Sequence, residues 1–253
     1  MVNFLMIYSP LEQFQILPLI SLPFFSFDFS VTNATILSVL SLGSFLFLNS
    51  LVGTNPYLVP TRWQYGLESL YTAIGGIVED NLGKNGVAYA PFVLILFCFV
   101  LVSNVAGLVP YSFTTTSHLV VTLALALTVF GGVNIISIKK HKLHMLSVFL
   151  PGGTNLVLAL LLVPIEAVSY IFKPISLAVR LFANIIAGHT LLKVIGGFAW
   201  AMIGGGTLLL GLHLVPLIVL VLLVGLELGV AVIQAYVFTI LTCIYLHDGI
   251  HLH

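Results

Sequence analysis

The sequence predicts an all-α polytopic membrane protein with about five membrane-embedded helices and one amphipathic surface helix. Hydrophobic residues make up 60% of the 253 residues and charged residues 6%, whereas a soluble domain carries roughly 45–50% and about 25%. The mean hydropathy is +1.19, which means more apolar surface than a soluble fold can bury. The apolar runs are continuous and lack the alternation of β-barrel strands, so the spans are helices.

The first half of the chain contains three predicted spans and the amphipathic helix. The first span is predicted at 31–52, after the N-terminal segment 1–30. Residues 61–85 mix charged, aromatic and aliphatic side chains, a pattern typical of an amphipathic helix that lies on a membrane surface. Residues 91–138 contain the second and third spans, with a break near Pro110 and a basic loop after the third.

The basic residues predict the orientation of the chain. One group lies between the first and second spans and the other follows the third: Arg62 and Lys84, then Lys139, Lys140 and Lys142. The segments expected on the opposite side, 9–30, 110–116 and 204–207, contain no Lys or Arg. By the positive-inside rule, the basic segments lie in the matrix or cytoplasm. The N-terminus is then outside and, after five passages, the C-terminus is inside.

The last hundred residues are nearly all apolar, and we interpret 151–203 and 207–248 as an antiparallel helical hairpin about three consecutive glycines at 204–206. In such a hairpin, the numbers of any two facing residues should average to the same value, which is the position of the turn. Three polar pairs have midpoints at 207 or 208: Glu166 with Asp248, Arg180 with Gln234, and His189 with Glu227.

Helical phase places part of this polar set on one face. Glu166, Lys173 and Arg180 recur every seven residues, and Asn184 follows Arg180 by one turn. His189 is half a turn round from Arg180 and is expected to face a different cavity. Lys173 is a candidate ion-pair partner of Glu166 because it lies between Glu166 and Arg180 in this stripe.

The length of the region leaves its geometry open. A continuous helix over 155–203 would be roughly 70 Å long, against a hydrocarbon core of ~30 Å. Such a helix must be steeply inclined or must break, for example at Pro174. Four upright helices are the competing interpretation.

Ionisable residues inside a membrane span are functional candidates, since each costs at least ~2.5–3.5 kcal/mol. Arg180 cannot relay a proton by losing its own, because the pKa of arginine exceeds about 12. It can hold a fixed positive field that favours the ionised form of a nearby carboxylate. No carboxylate of this chain pairs with Arg180 in the predicted hairpin, so the partner acid is expected from another subunit. A purely structural or snorkelling arginine is the alternative.

Other functional classes fit the sequence less well. Cys98 and Cys243 lie inside apolar runs and are interpreted as core residues. A haem-carrying redox subunit needs paired axial histidines on facing helices, and an ion antiporter is expected to contain inverted repeats. Neither pattern occurs in the sequence, and neither does a P-loop, a nucleophile constellation or a basic patch for nucleic acid. No cofactor or metal is therefore expected.

Three stretches carry a resemblance to a known family: AVRLFANIIAGH at 178–189, LELGVAVIQAYVFTILTCIYLHD at 226–248 and VPYSFTTTSH at 109–118. They resemble subunit a of F-type ATP synthases, the mitochondrial form in particular, over nearly the whole chain from SPLEQF at 9–14. The resemblance implies a non-catalytic stator channel beside a rotating ring of c subunits. It also implies the steeply inclined hairpin.

The resemblance assigns a role to each residue of the set. Arg180 corresponds to the essential arginine, and Asn184 and Gln234 to its polar neighbours. His189 and Glu227 correspond to the half-channel open to the intermembrane space. Glu166 and Asp248 correspond to the half-channel open to the matrix.

The resemblance further implies the partners and the membrane. The expected partners are the carboxylates of the c-ring, the peripheral-stalk subunit b, other small membrane subunits and lipids. The expected location is the mitochondrial inner membrane, with the N-terminus in the intermembrane space and the C-terminus in the matrix.

Overall fold

The computed structural model describes residues 12–21, 23–24, 27–28, 30–53, 60–109, 113–142, 156–203 and 212–250. Six α-helices account for most of them. Their bounds are α1 Asn33–Gly53, α2 Arg62–Leu82, α3 Ala90–Gly107, α4 Leu119–His141, α5 Leu156–Ile203 and α6 Leu214–Ile250. Short 3₁₀ helices precede β1, α3 and α4, at Glu12–Phe14, Lys84–Tyr89 and Thr115–Ser117.

The N-terminal segment forms short antiparallel strand pairs that the sequence analysis did not predict. The strands are β1 Pro18–Ile20, β2 Pro23–Phe24, β3 Phe27–Asp28 and β4 Val31–Thr32. Pro18 pairs with Thr32 in β1 and β4, and Pro23 pairs with Asp28 in β2 and β3. Each strand has only two or three residues, which is too short for an alternating pattern to be recognised.

Local sequence signals explain the ends of several helices. The Thr61 side chain accepts a hydrogen bond from the Gln64 backbone N–H and so caps the start of α2. Gly83, with a φ of 68°, ends α2 in a conformation that favours glycine. The last turn of α4 contains Lys139, Lys140 and His141, where basic side chains interact favourably with the helix dipole.

Helix α5 contradicts two of the alternatives left open by the sequence. It is one helix of 48 residues with Pro164 and Pro174 inside it, so it neither breaks at Pro174 nor divides into two upright helices. At 1.5 Å per residue, α5 is about 72 Å long and the 37 residues of α6 span about 56 Å. Membrane helices tolerate such prolines because neighbouring groups compensate for the lost hydrogen bond. The three glycines at 204–206 lie outside the described residues.

The buried core contains residues from all five helices α2, α3, α4, α5 and α6. Helix α6 packs against the other four. Val78 of α2, Val93 of α3 and Phe238 of α6 are fully buried. Many large apolar side chains are exposed instead, such as Leu160 and Leu222 at 81% and 68%. An exposed apolar surface of this extent fits contact with lipid.

The hydropathy of the helices agrees with this arrangement. Among the described residues, four stretches are long and apolar enough to cross a membrane: 86–107, 119–141, 160–202 and 214–250. A shorter apolar stretch, Asn33–Gly43, begins α1. The predicted class, an all-α polytopic membrane protein, is confirmed.

Candidate functional site

The candidate site lies between α5 and α6, which pack in opposite directions. The Asn184 Nδ2 atom on α5 donates a hydrogen bond to Gln234 Oε1 on α6 over 2.9 Å. Further along α5, the Glu227 side chain lies against Gly188, where an added Cβ would be 2.7 Å from Glu227 Oε1. Higher numbers on α5 thus meet lower numbers on α6, as expected for an antiparallel hairpin.

A cavity of about 250 Å³ extends along this contact. The polar residues that line it are Asn104, Asn184, His189, Glu227 and Gln234, and the remainder is mostly apolar. Arg180 is not among the lining residues, although Asn184 follows it by one turn. The cavity therefore extends from His189 and Glu227 to the hydrogen-bonded pair Asn184 and Gln234, which is next to Arg180.

Several buried polar atoms of this cavity have no hydrogen-bond partner in the described part of the chain. They are Asn104 Nδ2, His189 Nε2, Gln234 Nε2 and both carboxylate oxygens of Glu227. Buried polar groups are normally satisfied by protein or by water, because leaving one unpaired costs about 1–3 kcal/mol. A cavity lined by such atoms is suited to hold water.

Asn104 is a site residue that the sequence analysis did not identify. It is fully buried on α3, and its Oδ1 accepts a hydrogen bond from Thr116 Oγ1 at 3.5 Å. A single amide within an apolar span was the only signal in the sequence, and it did not distinguish a helix contact from a cavity wall. The structure adds α3 as the third wall of the cavity.

A second polar cluster lies around Asp248 near the C-terminal end of α6. Lys173 Nζ is 3.2 Å from Asp248 Oδ2, and both side chains are partly exposed. The same ammonium lies 5.7 Å and 5.4 Å from the ring centroids of Tyr170 and Tyr245, a cation–π distance. Tyr170 in turn hydrogen-bonds Asn134 on α4, so the cluster joins three helices.

These contacts correct the predicted register of the hairpin. Asp248 pairs with Lys173 and not with Glu166, and Gln234 pairs with Asn184 and not with Arg180. Along α5 the observed partner lies seven residues, about two turns, beyond Glu166 for Asp248, and four residues, about one turn, beyond Arg180 for Gln234. The predicted ion pair between Lys173 and Glu166 is also wrong. Among the described residues, Glu166 is partly buried and has no hydrogen bond or ion pair.

Arg180 has an environment that differs from both polar clusters. Arg180 is exposed, and neither of the two ion pairs found among the described residues includes it. Along α5 it lies between Lys173, which contacts Asp248, and Asn184, which contacts Gln234. The guanidinium is therefore available to an acid from outside this chain.

Comparison with known proteins identifies the family. The family model of the ATP synthase A chain matches residues 33–247. The chain belongs to this family. Among curated proteins, ATP synthase subunit a of Pylaiella littoralis is 62% identical over 98% of this chain and 100% of the relative. Subunit a of Chondrus crispus is 46% identical over 98% of both chains. That of Paramagnetospirillum magneticum is 46% identical over 97% of this chain and 99% of the relative.

The sequence-based recognition of the a-subunit family is confirmed. Membership and the apolar helices together make the chain a multi-pass membrane subunit of the proton-translocating sector of ATP synthase. Its functions are accordingly ATP synthesis and proton transport. Among the described residues no group of three His, Cys, Asp or Glu side chains is suited to hold a metal ion.

Proposed function

We propose that the chain provides two half-channels that deliver protons to and from the carboxylates of a c-ring, and that Arg180 separates them. The observation that supports this most strongly is the polar cavity of Glu227 and His189, which extends to the Asn184–Gln234 pair beside Arg180. The Lys173–Asp248 cluster lies on the other side of Arg180 along α5. From residue 173 to residue 184 the helix rises by about 16 Å.

The outer half-channel is proposed to contain His189 and Glu227, and the inner one Glu166 and Asp248. Within the described ranges of the chain, Glu227 has two oxygens without partners and His189 has one such nitrogen, so each can exchange a proton with water in the cavity. Asn184 and Gln234 hold the inner end of this cavity in place through their hydrogen bond. Glu166 has no ion-pair partner among the described residues, so its carboxylate is not held by a cation there.

Arg180 is proposed to act as an electrostatic barrier. A proton cannot hop through a group that does not release its own, and a fixed cation repels a hydronium ion. A c-ring carboxylate that approaches Arg180 is driven to its ionised form and gives up its proton. Each charge that moves through 100 mV is worth ~2.3 kcal/mol, so several protons together can drive one phosphorylation.

The assembly follows from this role. The chain is a non-catalytic stator subunit that contacts the c-ring, the peripheral-stalk subunit b, other small membrane subunits and lipids, without cofactors or nucleic acid. It forms one membrane domain in the mitochondrial inner membrane, with residues 1–30 in the intermembrane space and the C-terminus in the matrix. Helix α2 lies on the matrix surface, and α5 and α6 are steeply inclined because both exceed the ~30 Å core.

Cysteine accessibility tests the two routes. We expect Val230→Cys, in the cavity wall, to react with a membrane-impermeant thiol reagent only from the outer side of sealed vesicles. We expect Glu166→Cys to react only from the inner side. The background replaces Cys98 and Cys243 with alanine, and Leu127→Cys on the exposed apolar face of α4 is the unreactive control. Reaction of either cysteine from both sides contradicts two separated half-channels.

A further inference from the structure

The N-terminal segment is fastened to the start of α1 by one side chain. Asn33 Nδ2 donates to the Gln15 carbonyl oxygen over 3.1 Å, and Asn33 Oδ1 accepts from the Leu17 N–H over 3.3 Å. The Asn33 backbone N–H also donates to the Leu17 carbonyl oxygen. These three bonds fix the position of residues 15–17 and hence of Phe14 just before them.

Phe14 contacts two histidines from different parts of the chain. Its side chain is only 9% exposed, and its ring lies edge-on to that of His189, with 6.1 Å between centroids and an interplanar angle of 83°. The backbone of Phe14 makes a hydrogen bond with His118. The segment thus covers His189, which lines the cavity, and reaches His118, which precedes α4.

These contacts fix the tautomer of His118. The His118 ring stacks on Phe113 with a centroid distance of 5.4 Å. Its Nε2 atom is buried and has no hydrogen-bond partner among the described residues. The bond to Phe14 therefore uses Nδ1, which donates its hydrogen to the carbonyl oxygen. Nε2 then presents a lone pair that can accept a proton.

A run of buried polar side chains that precedes His118 in the chain reaches the wall of the cavity. Residues 114–117 are all polar and all buried, with exposures of 2–7%. Thr116 hydrogen-bonds Asn104, which lines the cavity together with His189 and Glu227. Thr114 packs so closely on Gly107 that a Cβ at Gly107 would overlap it, and that Cβ would lie 3.8 Å from His189 Nε2.

We propose that His118 is the outermost proton-accepting residue of the route to Glu227, held in its acceptor tautomer by the N-terminal segment. A hydronium ion of the outer solution gives up a proton and becomes water, and intervening water relays that proton to the buried Nε2. The imidazolium then returns this proton from the same nitrogen through water in the cavity, and the Glu227 carboxylate receives it. This proposal rests on the proposed function, because it extends the outer half-channel by one residue.

The electrostatic surroundings of His118 suit this role. Helices α1, α3, α4 and α5 pack on Thr115–Ser117. Their ionisable residues are few: α1 has none, α3 has Cys98, α4 has Lys139, Lys140 and His141 in its last turn, and the nearby part of α5 has His189 and Lys193. Glu227 lies across the cavity on α6, and Glu12 is exposed on the segment itself.

The charge state of His118 follows from its burial. Burial lowers the pKa of His118 from its ordinary value of 6.5, and the hydrogen bond with the Phe14 backbone opposes part of this shift. The lowered pKa favours the neutral ring, which is the form that can accept a proton.

Passive proton conduction by the assembled complex in sealed vesicles tests the proposal. We expect His118→Gln to lower the rate at least about tenfold and to remove the rise in rate as the outer pH falls. His213→Gln, a histidine before α6 on the same predicted side, is the matched control and should leave both unchanged. We expect added imidazole to restore conduction to His118→Ala, which a merely structural histidine would not allow.

Two further outcomes separate this proposal from the proposed function. If Glu227→Gln blocks conduction but His118→Gln leaves the rate and its pH profile unchanged, His118 is not on the route while the half-channel stands. If both variants conduct normally, the proposed function itself fails. A His118→Ala complex that assembles but is not restored by imidazole also overturns the role of His118.

Discussion

Replacing Arg180 with alanine is expected to abolish proton-driven ATP synthesis while the chain still inserts and assembles. Arg180 is exposed on the hairpin and has no ion pair among the described residues, so its removal leaves none of their buried carboxylates unpaired. The interaction that the variant loses is the one between Arg180 and the c-ring carboxylate. Removing one member of a desolvated charge pair costs roughly 2–5 kcal/mol, which is at least a ~30-fold loss of rate.

Lysine at the same position is expected to fail as well. It lacks the planar fork of arginine, and in a desolvated site it can lose its proton and with it the barrier. The measurement is the rate of ATP synthesis under an imposed proton gradient, with Lys139→Ala at the exposed end of α4 as the control for loss of a cation. Normal coupled synthesis in either Arg180 variant would show that this residue does not separate the two routes.

The second large effect is expected at Glu227. Glutamine has nearly the same shape but cannot carry a proton, so Glu227→Gln should reduce passive proton conduction to the background of the vesicles. The structure gives a physical reason for the size of the effect, since both carboxylate oxygens are buried at the cavity wall and have no partner in the part of the chain that the structure describes. The exposed Glu79→Gln on α2 is the control, and near-normal conduction by Glu227→Gln would contradict the outer route.

A steric change at the same point gives an independent measurement. A Cβ at Gly188 would lie 2.7 Å from Glu227 Oε1, whereas a Cβ at Gly197 on the same helix meets nothing within 4 Å. We expect Gly188→Ala to displace the carboxylate and lower conduction severalfold, and Gly197→Ala to leave it unchanged. Equal effects of both variants would point to helix flexibility and not to the position of Glu227.

The sequence predicted the class of fold because continuous apolar runs leave few alternatives to membrane helices. It also predicted the antiparallel hairpin, since polar residues at regular spacing mark one face of each helix. It did not predict which polar residues touch. That depends on the rotation of each helix and on side-chain reach, as the contact of the long Lys173 side chain with Asp248 illustrates.

Two other features could not be derived from local pattern. Pro174 suggested a break, but α5 continues through it because packing in a membrane protein compensates for one missing donor. The link from Phe14 to His118 and His189 joins residues more than a hundred positions apart. No spacing in the sequence indicates such a contact, and only the position of the N-terminal segment against α4 and α5 reveals it.

The most direct measurement is the distance from the Arg180 guanidinium to the nearest carboxylate in an experimental structure of the whole membrane sector. We expect that carboxylate to belong to a rotor subunit and to lie within hydrogen-bond or single-water reach in at least one rotary position. An Arg180 side chain paired only with acids of its own polypeptide, far from any rotor carboxylate, would contradict the proposed barrier.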